Sequence, residues 1–154
     1  MIETNNQLAE LSHLAQVLNK ETDAYSEALS QLENKLKKMN LGIEAWVNLA
    51  ESSVSGNPMR STFWRTMLGF AKTSDGWGFA VKQVRVESGF YENDESCPWE
   101  NHYDESEPKL LLKASREQRI IAAQRMEYLL KELTGQARAT ISFLQQARYM
   151  ADKM

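Results

Sequence analysis

"TMLGFAKTSDGWGFAVKQVRV", Thr66 to Val86, decides the fold. Apolar, aromatic and β-branched residues crowd "TMLGFAK" (Thr66 to Lys72) and "WGFAVKQVRV" (Trp77 to Val86), the composition of a pleated, half-buried surface. The link "TSDG" ends in Asp75-Gly76, a pair that suits tight hairpin turns because glycine tolerates positive φ. The stretch therefore predicts two antiparallel strands. Phe79 and Val81 share one parity, Val84 and Val86 the other. Strand side chains alternate between faces, so a bulge or a change of buried face is expected near Lys82 and Gln83.

Working outward, "IEAWVNL" (Ile43 to Leu49) also alternates in steps of two and predicts a further strand. "KLLLK" (Lys109 to Lys113) is either a short edge strand or a lead into the following helix. "ESSVSGNPMRS" (Glu51 to Ser61) is rich in turn formers and predicts a loop. "ESGFYENDESCPWENHYDESE" (Glu87 to Glu107) holds eight carboxylates and no lysine or arginine. It is long for an unstructured connection, so a lid or binding loop is expected there.

On either side the period changes from two to three and four. Leu8, Leu11, Ala15, Leu18, Thr22, Tyr25, Leu29, Leu32, Leu36 and Met39 form a heptad seam with no glycine or proline before Gly42. A helix over that span is roughly 55 Å long. Ala123, Met126, Leu130, Leu133, Ala137, Thr140, Leu144, Ala147 and Ala151 repeat the pattern near the C-terminus, and Ile120, Ile121, Leu129, Ile141 and Phe143 widen it. The expected fold is α+β and a single domain over 1–154. A long helix (1–40) and another (115–154), antiparallel and coiled-coil-like, bracket a small antiparallel β-sheet (41–113) with the acidic loop at 87–107. Apolar faces this wide exceed what two helices bury in each other, so a homo-oligomer is expected.

Bulk properties narrow the function classes. Hydrophobic residues make up 42% and charged residues 25%, which excludes a disordered chain. No apolar run approaches the ~20 residues that span a bilayer. The polar, acidic start "MIETNNQLAE" lacks the character of a signal peptide, and the single cysteine, Cys97, forms no intrachain disulfide. A cytoplasmic protein is the expectation. The overall charge of -3 leaves the chain outside the acidic segment only mildly positive. That argues against general nucleic-acid binding and allows a local basic site.

The sharpest local signal is "ASREQR", Ala114 to Arg119. Ser115 and Gln118 form a capping box, and Glu117 suits the helix dipole. Arg116 and Arg119 oppose it. A negative group over the free N–H groups resolves the conflict, and two are open: a carboxylate from the acidic segment, or a bound phosphate or carboxylate ligand. Lys72, Lys82 and Arg85 are candidate helpers. Trp77, Trp99 and Tyr91 are candidates to cover a base or other flat group, with Trp64 and Tyr103 as further exposed aromatics.

Catalytic and metal signals are weak. Cys97, Glu100, His102 and Asp104 are close in sequence, but their spacing matches neither paired zinc ligands nor a nucleophile signature. Gly69, Gly76 and Gly78 match no phosphate loop and suit turns and close strand packing. No cofactor and no catalytic residue is assigned.

Three stretches, "MNLGIEAWV", "LGFAKTSDGWGFAVK" and "LLLKASREQRIIAAQRMEYLLKEL", together resemble a group of small bacterial and phage-borne proteins with a helix–small sheet–helix layout. The resemblance implies that layout, with an aromatic-Gly pair at Trp77-Gly78 and an arginine pair at Arg116 and Arg119. It carries no activity. A looser likeness, in architecture alone, is to viral proteins that sequester nucleotide signals.

The expected function is therefore a non-enzymatic, homo-oligomeric binding protein with an anion or nucleotide site at the start of the last helix. The alternative is a coiled-coil interaction module that docks a protein partner through its acidic, aromatic segment.

Overall fold

The computed structural model describes residues 1–52, 54–57, 59–91 and 94–154, with backbone alone at 57, 91 and 94–96. The fold is α+β: two helices, first and last in the chain, bracket a six-stranded antiparallel sheet. The chain divides into two units, Met1–Asn40 and Leu41–Met154.

The first unit is one helix, α1 (Ile2–Met39). It ends where Asn40 takes a left-handed conformation and its N–H bonds back to the Lys37 carbonyl. Asparagine accepts that conformation at lower cost than most residues, and Lys37 and Lys38 face the negative end of the dipole.

The second unit is built on a long hairpin. Strands β3 (Arg60–Thr73) and β4 (Gly76–Tyr91) pair without interruption from Arg60↔Gly89 to Thr73↔Gly76. The turn is the expected one. Gly76 has φ +100, and the Thr73 hydroxyl accepts from the Asp75 N–H and donates to the Gly76 carbonyl. β1 (Ala45–Glu51) and β2 (Ser55–Asn57) flank β3. β5 (Asp94–Tyr103) and β6 (Lys109–Leu110) flank β4. A short 3-10 turn (Leu111–Lys113) leads into α2 (Arg116–Lys153).

The parity change near Lys82 is a change of buried face, with no bulge between β3 and β4. Near the turn, Leu68, Phe70, Phe79 and Val81 are buried on one face. Phe70 meets Phe79 edge-on and stacks on Trp77. Farther along, Phe63, Val84 and Val86 form a second cluster on the opposite face, with Met67 packed against it. Burying side chains of this size stabilises by about 1.5–3 kcal/mol each.

Two segments expected to be loops contain strands. Ser55–Asn57 folds back as β2 within the turn-rich stretch. The acidic segment continues β4 as far as Tyr91 and supplies β5, so among the described residues open connection remains only around 104–108. Its carboxylates are tolerable in strands because cations on neighbouring strands meet them: Arg60 lies 3.3 Å from Glu87, and Arg65 lies 2.6 Å from Glu100. Pro98 is accommodated because β5 is an edge strand.

Helix α2 lies against β1 and β3. Its fully buried residues are Ala122, Leu129 and Leu133, with Met126 and Leu130 half-buried. Of the expected seam, Leu133 is buried and Met126, Leu130, Ala137 and Thr140 are half-buried, whereas Ala123 is exposed; Ala122 and Leu129 extend the buried face beside it.

Candidate functional site

The start of α2 is capped as its sequence predicts. Ser115 has extended backbone, and its hydroxyl accepts from the Gln118 N–H at 3.2 Å. Arg116 is exposed, and Arg119 is half-buried one turn on. Beside this cap is a hollow of about 220 Å³, lined among others by Gln83, Ser106, Glu107, Lys109 and Gln118. Ser106 is fixed there from both sides. Its N–H donates to the Gln83 carbonyl at 2.9 Å, and its hydroxyl accepts from the Gln83 N–H at 2.8 Å.

The expected helpers are distributed differently. Lys82 also lines the hollow. Its ammonium, however, sits 4.1 Å from the Trp46 ring and 3.4 Å from Glu105. Trp46 lies flat over the glycine opposite it, Gly69, and its indole N–H donates to Glu44. Arg85 donates to Asp104 at 2.8 Å and covers the Tyr103 ring. Lys72 is exposed and lies opposite Trp77 in the β3–β4 register. Trp77 is committed to its stack on Phe70, with centroids 5.6 Å apart.

Trp99 is elsewhere. It pairs with Gly89, seven residues along β4 from Lys82, a distance of about 23 Å at strand rise. There it lines a second hollow with Ser88, Phe90, Pro98 and Glu100. The Tyr91 backbone pairs with Asp94, and its side chain lies outside the described residues. Ser115, Arg116 and Arg119 are brought together by one helical turn. Trp99 is not part of that group, and Trp64, opposite Arg85, is partly exposed.

Sequence reasoning missed Arg65. It is 8% exposed and lies in the Phe63–Met67 alternation, on the face of Val84 and Val86. Its guanidinium reaches two other strands. Nε donates to Glu51 of β1 at 3.0 Å, and Nη1 donates to Glu100 of β5 at 2.6 Å. Nη2 also reaches Glu100, at 3.3 Å. His102 completes the group, 2.8 Å from Glu100. The hydrogen bond from Arg65, then that from His102, pulls the Glu100 carboxyl down to about 2. The same bond to Glu100 raises Arg65 above its usual value. No sequence signal marked it, because the expected strand began at Thr66 and its inward position follows only from the β3–β4 register.

Four carboxylates of the acidic segment, Glu87, Glu100, Asp104 and Glu105, thus meet Arg60, Arg65, Arg85 and Lys82. Among the described residues, no group of three His, Cys, Asp or Glu side chains is disposed to hold a metal ion. Among those residues, too, no helix is long and apolar enough to cross a membrane. Comparison with protein-family models, curated proteins and solved structures found no match to this chain.

Proposed function

We propose that this chain is a non-enzymatic, homo-oligomeric binding protein that takes an anionic group at the start of α2. The observation that supports this reading is the hollow beside the Ser115 cap. Gln118, from the first turn of α2, stands in its wall with Gln83, Ser106 and Lys109 as further polar lining. Glu105 on Lys82 holds the place of counter-charge when no ligand is bound, and Glu107 lines the same hollow. A phosphate, free or on a nucleotide, would displace them. Arg116 and Arg119 stand on the same helical turn to add charge.

The test is a thermal-shift and calorimetric titration with phosphate, mononucleotides and cyclic dinucleotides. Binding by the wild type, weakened at least tenfold in an Arg116→Ala/Lys109→Ala variant, supports the site. Equal response of the two proteins removes it.

The second reading is an assembly and interaction module. It is favoured by the exposed apolar stripes on both helices, which include Leu8, Leu11 and Leu18 of α1 and Ile141 and Leu144 of α2. On this reading a Tyr103→Ala/Glu105→Ala variant, which keeps β5 and the Arg65–Glu100 pair, is expected to lose capture of a protein partner and to leave the oligomer intact.

A further inference from the structure

Two helix segments hold large apolar side chains in open solvent. In α1 they are Leu8, Leu11, Leu14, Val17 and Leu18, and in α2 Ile141, Phe143, Leu144, Tyr149 and Met150. Each is between 43% and 69% exposed, far more than single scattered surface residues require. Spacing of three and four makes the α1 set a stripe that fits another helix; in α2, Ile141 and Leu144 stand three apart on one side, and Phe143 and Met150, seven apart, stand on another. On α2 the stripe borders a hollow walled by Ile141, Leu144, Gln145 and Arg148.

The two segments differ in sign. Residues 1–23 carry Glu3, Glu10, Glu21 and Asp23 against Lys20. Residues 134–154 carry Arg138, Arg148 and Lys153 against Asp152. Helix dipoles favour acids at the start of a helix and bases at its end, but only within the terminal turn. Glu10, Glu21 and Arg138 lie well beyond it, so the dipole does not account for the bias. Pairing like segments would bring like charges together, whereas pairing unlike segments removes the repulsion and buries both stripes. An anionic lipid surface would repel the acidic stripe of α1.

We propose that a second copy of this chain covers these faces, with the acidic apolar half of α1 from one copy packing on the basic apolar half of α2 from another. This rests on the homo-oligomer reading and specifies which surfaces meet. Both helices of every chain contribute to the interface, as they do when a two-fold axis makes the α1-on-α2 contact reciprocal.

The experiment is sedimentation of the full chain at 5–100 µM, for the wild type and for two charge-reversed variants, Glu10→Lys/Glu21→Lys and Arg138→Glu/Arg148→Glu. The wild type is expected above monomer mass. Each variant alone is expected to associate at least tenfold more weakly, and an equimolar mixture of the two to recover assembly. A Leu11→Ala/Leu144→Ala variant, checked for retained sheet by circular dichroism, is expected to be monomeric whatever its charges. If that variant dissociates while both charge-reversed variants keep wild-type mass, the oligomer stands and the acidic-on-basic pairing is overturned. A wild type that stays monomeric at 100 µM overturns both.

Discussion

Arg65 places a full positive charge among Phe63, Val84 and Val86, with its guanidinium over the Phe63 ring. Taking an ion out of water costs several kcal/mol unless partners replace the solvent. Glu51 and Glu100 supply that replacement and tie β1, β3 and β5 together. Arg65→Ala removes the ties and opens a void over the second cluster. It is expected to lose about 1–3 kcal/mol in urea unfolding, at the low end for buried pairs because both carboxylates remain partly hydrated. Arg65→Met, which keeps the stem, is expected to lose less. Equal losses would mean that the charge matters and the packing does not. Glu100 adds a pH dependence. Its carboxyl moves from the usual 4.5 to about 2 on folding, so the unfolded chain holds its proton more tightly. The stabilisation is complete above about pH 5 and is lost as pH falls toward 2. Glu100→Gln is expected to flatten that part of the curve of Tm against pH, and parallel curves for the two proteins would refute the assignment. Neither residue stood out in the sequence. Arg65 is one of many charges there, and only the strand register shows that it shares a face with Phe63 and Val86.

At the scale of elements, local chemistry was the legible part. The Asp75-Gly76 turn, the Ser115 cap and the two helices follow from residue type and period, because each is set by neighbours within one turn of chain. Ser115→Ala is expected to cost about 1 kcal/mol through the lost bond to the Gln118 N–H, measurable as a fall in Tm. The acidic segment was illegible for the opposite reason. Its carboxylates argue against strand until the cations facing them, Arg60 and Arg65, are placed by pairing distant in sequence. The two-sided core gave the same difficulty, since the parity shift at Lys82 is visible but its cause lies in what covers each face. Gly89 offers a test of the arm formed by β5 and the ends of β3 and β4 that lie farthest from the Asp75-Gly76 turn. A Cβ there would come 2.0 Å from the Met59 carbonyl oxygen, so backbone must move. Gly89→Ala is expected to destabilise by about 1–3 kcal/mol and to raise hydrogen exchange in β5 more than in β1. Uniform exchange changes would show that the arm is not a separate cooperative piece.

For the whole molecule, the exposed ends of α1 and α2 pose a thermodynamic question. Isolated helical segments shorter than about 12–15 residues are marginal in water, and longer ones owe most of their stability to an apolar face packed on something. Leu8 to Leu18 and Ile141 to Met150 have wide apolar faces in solvent, and Gly135 lies before the second of them, where it costs about 1 kcal/mol against alanine. If another copy covers those faces, their helicity must follow mass action. Ellipticity at 222 nm is then expected to fall on dilution from 100 µM to 1 µM, while the near-ultraviolet signal of the tryptophans in the central segment holds steady. Tm is expected to rise with protein concentration over the same range, and Leu11→Ala/Leu144→Ala to remove both dependences. Spectra and Tm independent of concentration would show that each chain maintains both helices unaided, and the stripes would then require a different explanation from self-association.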